Sequence, residues 1–187
     1  MYSYHSQLYG CKSFLINVTT DNSTFSPLTA IDVAGHEMSH GVTSRTASLV
    51  YSGQSGGLNE ATSDIFGTSV EFYANNPNDP GDYLIGEEIA LRRLATKDPN
   101  TSGGKYLRNM AHPTYDGASV DNFSKYTSSL DVHYSSGIAN NFFYLLSHLP
   151  RSFKNSYGFV VFKSNRKFIK SPYSTTTNDN CVCRTRQ

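Results

Sequence analysis

The sequence predicts a mainly α-helical fold with irregular loops, on three observations. Apolar residues recur at helical spacing near residues 29–45, 58–75 and 136–149. Runs of Gly, Pro, Asn and Asp separate those stretches. His36 and His40 in the first helix and Glu60 in the second would meet if the two helices packed antiparallel.

The elements follow in order. Residues 1–23 show weak alternation and turn residues and read as a divergent lead-in. Pro27 and Thr29 punctuate the start of the first helix, and Thr29 with Asp32 approximates a capping box. Ile31, Val33, Ala34 and Met38 supply its apolar positions, and it should run to about Arg45. Residues 46–57, with Gly53, Gly56 and Gly57, read as a flexible connector. The second helix should span Leu58 to Asn75 with Leu58, Ala61, Ile65, Phe66, Val70, Phe72 and Tyr73 on its apolar face. It stops in the breaker-rich run from Asn75 to Asp82. Residues 83–135 read as mostly loop, a length that is usually functional or held by bound ions. The third helix begins near Ser136 and ends before Pro150, with Phe142, Phe143 and Tyr144 expected in core packing.

Bulk properties bound the function. The chain of 187 residues is one domain of ordinary size, and its net charge of +1 argues against nucleic acid and anionic membrane as partners. No apolar run is long enough to span a bilayer, and no secretory signal is visible. Cys11, Cys181 and Cys183 read as unpaired thiols, with a bridge from Cys11 to one of the others as the alternative. Sequons start at Asn17, Asn22, Asn100 and Asn122.

The chemistry centres on His36-Glu37-Met38-Ser39-His40. Histidines at i and i+4 lie one turn apart, roughly 6 Å between Cβ atoms, so both rings can converge on one zinc ion. Glu37 then stands beside the metal as a general base. A third ligand is needed, and Glu60 supplies it from the second helix. Asp64, one turn further, faces the same way and could hold the far nitrogen of a ligand histidine. Thr43 and Thr46 occupy the positions of the Gly and third His in HExxHxxGxxH, which excludes the metzincin arrangement.

GHEMSHGVT, SLVYSGQSGGLNEATSDIFG, VEFYAN, LRNM and DVHYSSGIANNFFYLLS together resemble the thermolysin family of neutral zinc metalloendopeptidases, across residues 24–150. The resemblance implies a zincin-like α+β catalytic core with the N-terminal β lobe largely missing, residues 1–23 being its remnant. Residues 151–187 form a divergent tail that does not match the family's C-terminal helical lobe. It implies zinc held by His36, His40 and Glu60, with Asn59 and Asp64 behind the two histidines. Glu37 is the implied base and proton shuttle, Tyr51 and His133 the oxyanion donors, and Asp131 the residue orienting His133. Arg108 is implied to bind a substrate carbonyl, and Phe25, Leu28, Val33 and Leu107 to line an apolar pocket selecting bulky P1′ residues. Asp32, Glu71, Asp82 and Glu87, with the carbonyl of Leu84, are implied to bind one structural calcium. The resemblance further implies a secreted monomer acting on peptides or proteins. The alternative is a catalytically impaired zinc- and calcium-binding fragment of such a peptidase.

Overall fold

The computed structural model describes residues 7–8, 11–12, 25–26, 29–100 and 103–149. Expectations for Leu28, Asn17, Asn22, Cys181, Cys183 and the tail 151–187 lie outside the described residues. The described part is mainly helical: α1 (Ile31–Arg45), α2 (Gly53–Ala74), and a single turn α3 (Val132–Ser135) that leads into α4 (Gly137–His148). Four two-residue strands pair antiparallel, β1 (Gln7–Leu8) with β2 (Cys11–Lys12) and β3 (Leu84–Ile85) with β4 (Arg108–Asn109). In the second pair Leu84 stands opposite Asn109 and Ile85 opposite Arg108.

The helices α1 and α2 run antiparallel, as their contacts show. Asp32 meets Gly67, His36 meets Asp64, and His40 meets Asn59, so the numbering falls on one helix as it rises on the other. Glycine makes the approach possible. A Cβ on Gly67 would lie 2.3 Å from the Asp32 carbonyl oxygen, and one on Gly35 would lie 3.0 Å from Gly67 Cα. Any larger residue at 67 pushes the helices apart. Gly67→Ala is therefore expected to cost about 1–3 kcal/mol through overpacking, read as a lowered thermal midpoint. An unchanged midpoint would mean the helices do not touch there.

Helix α2 starts at Gly53, five residues before the expected Leu58. Low helix propensity made this glycine run look like a connector. The structure uses the missing side chains for packing instead. Cβ atoms on Gly56 and Gly57 would lie 2.4 Å from Val132 Cγ1 and Ser135 Oγ respectively, so α3 sits directly on the first turns of α2. The far end is as expected: Asn75 closes the helix in the left-handed conformation, at φ 49° and ψ 43°.

The expected apolar faces are corrected. On α1, Val33 is buried but Met38 is 71% exposed; on α2, Ala61 is buried while Leu58, Phe66, Val70 and Tyr73 are exposed. The faces turned inward carry Asp32, His36, Ser39, His40 and Thr43 on one helix and Glu60, Ser63, Asp64, Thr68 and Glu71 on the other. Across the crossing His36 pairs with Asp64, and His40 with Asn59 and Ser63. The capping-box reading also changes. Ala30 is the N-cap without a side-chain bond, and Asp32 is fully buried with Oδ2 accepting from Gly86 N at 2.6 Å. On α4, Phe142 is exposed, while Phe143 and Tyr144 put their rings 6.3 and 5.0 Å from that of Tyr83.

The apolar core is correspondingly small. Ala30, Val33 and Ile89 form its centre, with half-buried Phe25 and Leu107 packed against it. Ile85 and Met110 are buried as well. The 83–135 stretch wraps this core with β3, β4 and two short 3₁₀ turns, Pro113–Asp116 and Phe123–Lys125.

Candidate metal centre and cleft

At the α1–α2 crossing, His36 Nε2 and His40 Nε2 face each other at 3.1 Å. Glu60 lies against both, with Oε2 3.5 Å from His36 Nε2 and Oε1 3.3 Å from His40 Nε2. The other ring nitrogens are committed: His36 Nδ1 to Asp64 Oδ1 at 2.7 Å and His40 Nδ1 to Asn59 Oδ1 at 2.8 Å. Since Asp64 and Asn59 Oδ1 accept, each Nδ1 carries the proton and each Nε2 presents a bare lone pair. The Asn59 amide is oriented by its own donation to the Leu49 carbonyl at 3.1 Å.

Lone pairs converging on one point call for a cation. Glu60 is fully buried, and its Oε2 has no hydrogen-bond partner. Burial alone would raise its pKa, but the surrounding His40, Tyr51, His36 and His133 side chains bring it down to about 2. Burial opposes charge on His40 too, yet the neighbouring Glu60 and Asn59 raise its pKa. A tetrahedral zinc with ligands at 2.0–2.1 Å needs donor atoms about 3.3 Å apart. The separations of 3.1–3.5 Å fit that requirement, and His₂Glu is the ligand set of hydrolytic zinc.

Behind the histidines stands Asp64, fully buried. Arg108 donates to it twice, Nε to Oδ2 and Nη2 to Oδ1, each at 2.7 Å, and Asn140 Nδ2 donates to Oδ2 at 2.7 Å. Burial would raise the Asp64 pKa, but Arg108 and His36 hold it well below the usual carboxylate range. Arg108 was expected to serve substrate; the structure commits two of its nitrogens to this ion pair. Asn140 escaped sequence reading altogether. The available signal was an amide inside the apolar repeat of the third helix.

The cleft side carries the remaining groups. The Tyr51 hydroxyl donates to Glu60 Oε1 and lies 3.2 Å from His133 Nε2. Burial and the acceptor Glu60 raise the Tyr51 pKa, so the phenol stays protonated. His133 Nδ1 and backbone N both donate to Asp131 Oδ1, at 2.7 and 2.8 Å, which holds the Asp131 carboxyl below its ordinary value. With Nδ1 so engaged, a second proton on the His133 ring points towards Tyr51 and Glu60, whose Oε2 is 3.6 Å away. Glu37 is half-buried, and its charge acts on both His40 and Tyr51.

A second group of carboxylates forms at the other end of the crossing. Ligand atoms of Glu71, Asp79, Glu87 and Glu88 lie within 4.8 Å of one another. Glu71 and Glu87 were expected there; Asp79 and Glu88 were missed, because Asp79 looked like one more solvated residue in a breaker run. Asp32 and Asp82 border the group but each has an oxygen tied to a backbone N–H, of Gly86 and of Leu84 at 2.6 Å. Leu84 meets the cluster through that amide, while its strand pairs with Asn109. Asp32 Oδ1, Glu71 Oε1 and Glu87 Oε2 are buried without a partner. Burial first, then mutual repulsion with Asp32 and Asp82, pushes Glu71 up to about 8 and Glu87 to about 9. Burial, then the bond to Asp79, raises Glu88 to about 7. A cavity of about 360 Å³ bounded by Thr29, Ala30, Ile31, Asp79 and Glu88 adjoins this group, and no residue of the histidine centre lines it.

Of the expected specificity residues, Phe25, Val33 and Leu107 come together in the small apolar core with Ala30 and Ile89. Val33 is buried within it, so only Phe25 and Leu107 keep exposed surface.

Comparison with known proteins gives a consistent result. The family model for the catalytic domain of thermolysin metallopeptidases matches residues 9–44, and that for their α-helical domain matches residues 47–179. The transglutaminase-activating metalloprotease of Streptomyces mobaraensis is 61% identical over 121 residues, covering 65% of this chain and 15% of that protein. The neutral protease of Vibrio proteolyticus is 40% identical over 159 residues, 85% of this chain and 24% of its own length. Thermolysin of Bacillus caldolyticus is 49% identical over 133 residues, 68% and 22% respectively. Among solved structures, the precursor of protealysin, a metalloproteinase from Serratia proteamaculans, aligns with a TM-score of 0.54 and 35% identity, over 67% of this chain and 41% of that one. The chain thus spans a quarter or less of the length of these curated relatives.

Proposed function

The chain belongs to the thermolysin family of zinc metallopeptidases, and from that premise we propose that it carries the hydrolytic centre of a zinc-dependent endopeptidase. The observation that supports this most is the pair of bare Nε2 lone pairs closing on buried Glu60 at 3.1–3.5 Å. His36, His40 and Glu60 would hold the zinc ion. When bound, the ion would supply Lewis-acid polarisation of the scissile carbonyl and a lowered pKa for the attacking water.

The residues of the chain do the rest. Glu37 takes the proton from the attacking water and returns it to the departing amine. Tyr51 O–H and, from its Nε2 when that atom carries a proton, His133 donate to the carbonyl oxygen as negative charge develops there. Asp131 holds the His133 ring in that orientation. Arg108 keeps Asp64 charged and, through its remaining nitrogen Nη1, reaches for a substrate carbonyl. Phe25, Leu28 and Leu107, backed by the buried Val33, would favour bulky apolar residues at P1′. Discrimination in such a pocket is about 1–3 kcal/mol per methylene, which makes the preference broad.

The reading is tested by loading the full chain with zinc and measuring metal content beside casein cleavage. One zinc per chain with chelator-sensitive cleavage is expected. One zinc without cleavage identifies a metal-binding fragment of a peptidase instead. Removing a single oxyanion donor, by Tyr51→Phe or His133→Ala, is expected to lower kcat by about 10²–10³ with little change in KM. A change confined to KM would assign these residues to substrate binding.

We also infer one structural calcium at the acidic group, held by Glu71, Asp82 and Glu87 with Asp32 behind them, and by Asp79 and Glu88, which the structure adds. Hard oxygen donors, three of them buried without partners, suit that ion. At a hundredfold excess over Kd the ion stabilises by about 2.7 kcal/mol, roughly 5–10 °C in Tm. The pH trend has a definite sign. The folded chain keeps Glu71 and Glu87 protonated up to about 8 and 9, against 4.5 for an unburied glutamate. It therefore binds more protons than the unfolded chain, and without calcium its stability falls as pH rises from about 4.5 towards 9. Thermal melts across that range, with and without calcium, should show the fall only in its absence. We place its working site outside the cell, as a monomer acting on peptides or proteins.

A further inference from the structure

We propose that Asn140 is a positioning residue of the zinc centre, coupling the docking of α4 to metal affinity through Asp64; this rests on the zinc reading above. Asp64 accepts four hydrogen bonds, two on each oxygen: His36 Nδ1 and Arg108 Nη2 on Oδ1, Arg108 Nε and Asn140 Nδ2 on Oδ2, all at 2.7 Å. A carboxylate has about four acceptor positions, so this one is saturated and cannot turn about its Cβ–Cγ bond without losing a partner. Its plane sets the direction in which His36 must donate, and so the direction of the His36 Nε2 lone pair. Asn140 is the member of the set that comes from α4, 76 residues away in sequence.

The side chain is built for that contact. Asn140 is 1% exposed, and its Oδ1 is buried without a partner. An amide kept at that expense is explained by what its other end does, since an apolar residue would fill the space without an orphaned oxygen. Its neighbour Asn141 serves as the internal control. Asn141 Nδ2 donates to the Met110 and Ala111 carbonyls at 3.0 and 2.9 Å, docking the same helix on the segment after Arg108 without touching Asp64. The two amides thus separate docking of the helix from positioning of the ligand.

The test compares the full chain with its Asn140→Ala, Asn140→Leu and Asn141→Ala variants. Zinc Kd is read by competition with a chromophoric chelator, the His36 Nδ1–H proton by NMR of the zinc-loaded form, and folding by thermal melt. Asn140→Ala is expected to weaken zinc about tenfold, the low end for residues behind a ligand, and to shift the His36 resonance. Asn141→Ala should lower Tm with Kd within twofold and the resonance in place. If Asn140→Ala does not fold, Asn140→Leu, which fills a similar volume without a donor, carries the same threshold. Asn140 variants that fold and bind zinc as tightly as the parent overturn the inference while leaving the zinc site standing. A parent chain that takes up no zinc overturns the zinc reading itself, and the inference with it.

Discussion

Glu37→Gln is expected to lower peptide hydrolysis by about 10²–10⁴ while leaving zinc content at one per chain. The amide occupies the same volume and keeps an oxygen towards the cleft, but it cannot take a proton from water. The atoms proposed to hold zinc, His36 Nε2, His40 Nε2 and those of Glu60, are oriented by Asp64, Asn59 and Tyr51 rather than by Glu37. Metal binding and proton transfer thereby separate in one substitution. A variant that cleaves casein at the parent rate would remove Glu37 from the mechanism. One that loses zinc would make it part of the metal cage.

Asp64→Asn carries the largest expected cost in stability, about 3–5 kcal/mol, together with a 10–100-fold loss in zinc affinity. The substitution keeps an acceptor for His36 but leaves the Arg108 guanidinium, only 15% exposed, without its counter-charge. Removing both charges, in Asp64→Asn with Arg108→Met, is expected to recover much of the stability and none of the zinc affinity. Urea titration and chelator competition read the two effects separately. The ion pair also has a pH signature. Because the Asp64 pKa is depressed in the fold, its stabilisation is present above the ordinary value of 3.8 and is lost as pH falls through the lower folded-state value. A double variant no more stable than Asp64→Asn would show that the unpaired charge is not the source of the loss.

The centre was legible because local periodicity fixes it. The i, i+4 spacing of His36 and His40 holds on any helix, and Glu60 and Asp64 are one turn apart on theirs. Those residues needed only one further assumption, that the helices run side by side, and the antiparallel crossing meets it. Apolar periodicity misled for a related reason. It locates α1, α2 and α4, but it assigned Met38, Phe66, Val70 and Tyr73 to a core that the structure gives to His36, Asp64, Thr68 and Glu71. A polar interior is stable only when each group finds its partner, and hydropathy carries no record of partners.

The amino-acid order alone therefore singled out His36, His40 and Glu60, which the fold brings together, and marked where the helices stop. The folded chain settled the rest: how closely α1 and α2 approach at Gly67, that Arg108 is tied to Asp64, that Asp79 and Glu88 join the acidic group, and that Asn140 reaches the centre from α4. These last contacts join residues up to 76 positions apart. Backbone geometry links residues within a turn or two of each other, whereas contacts across such distances exist only once packing has brought separate elements together.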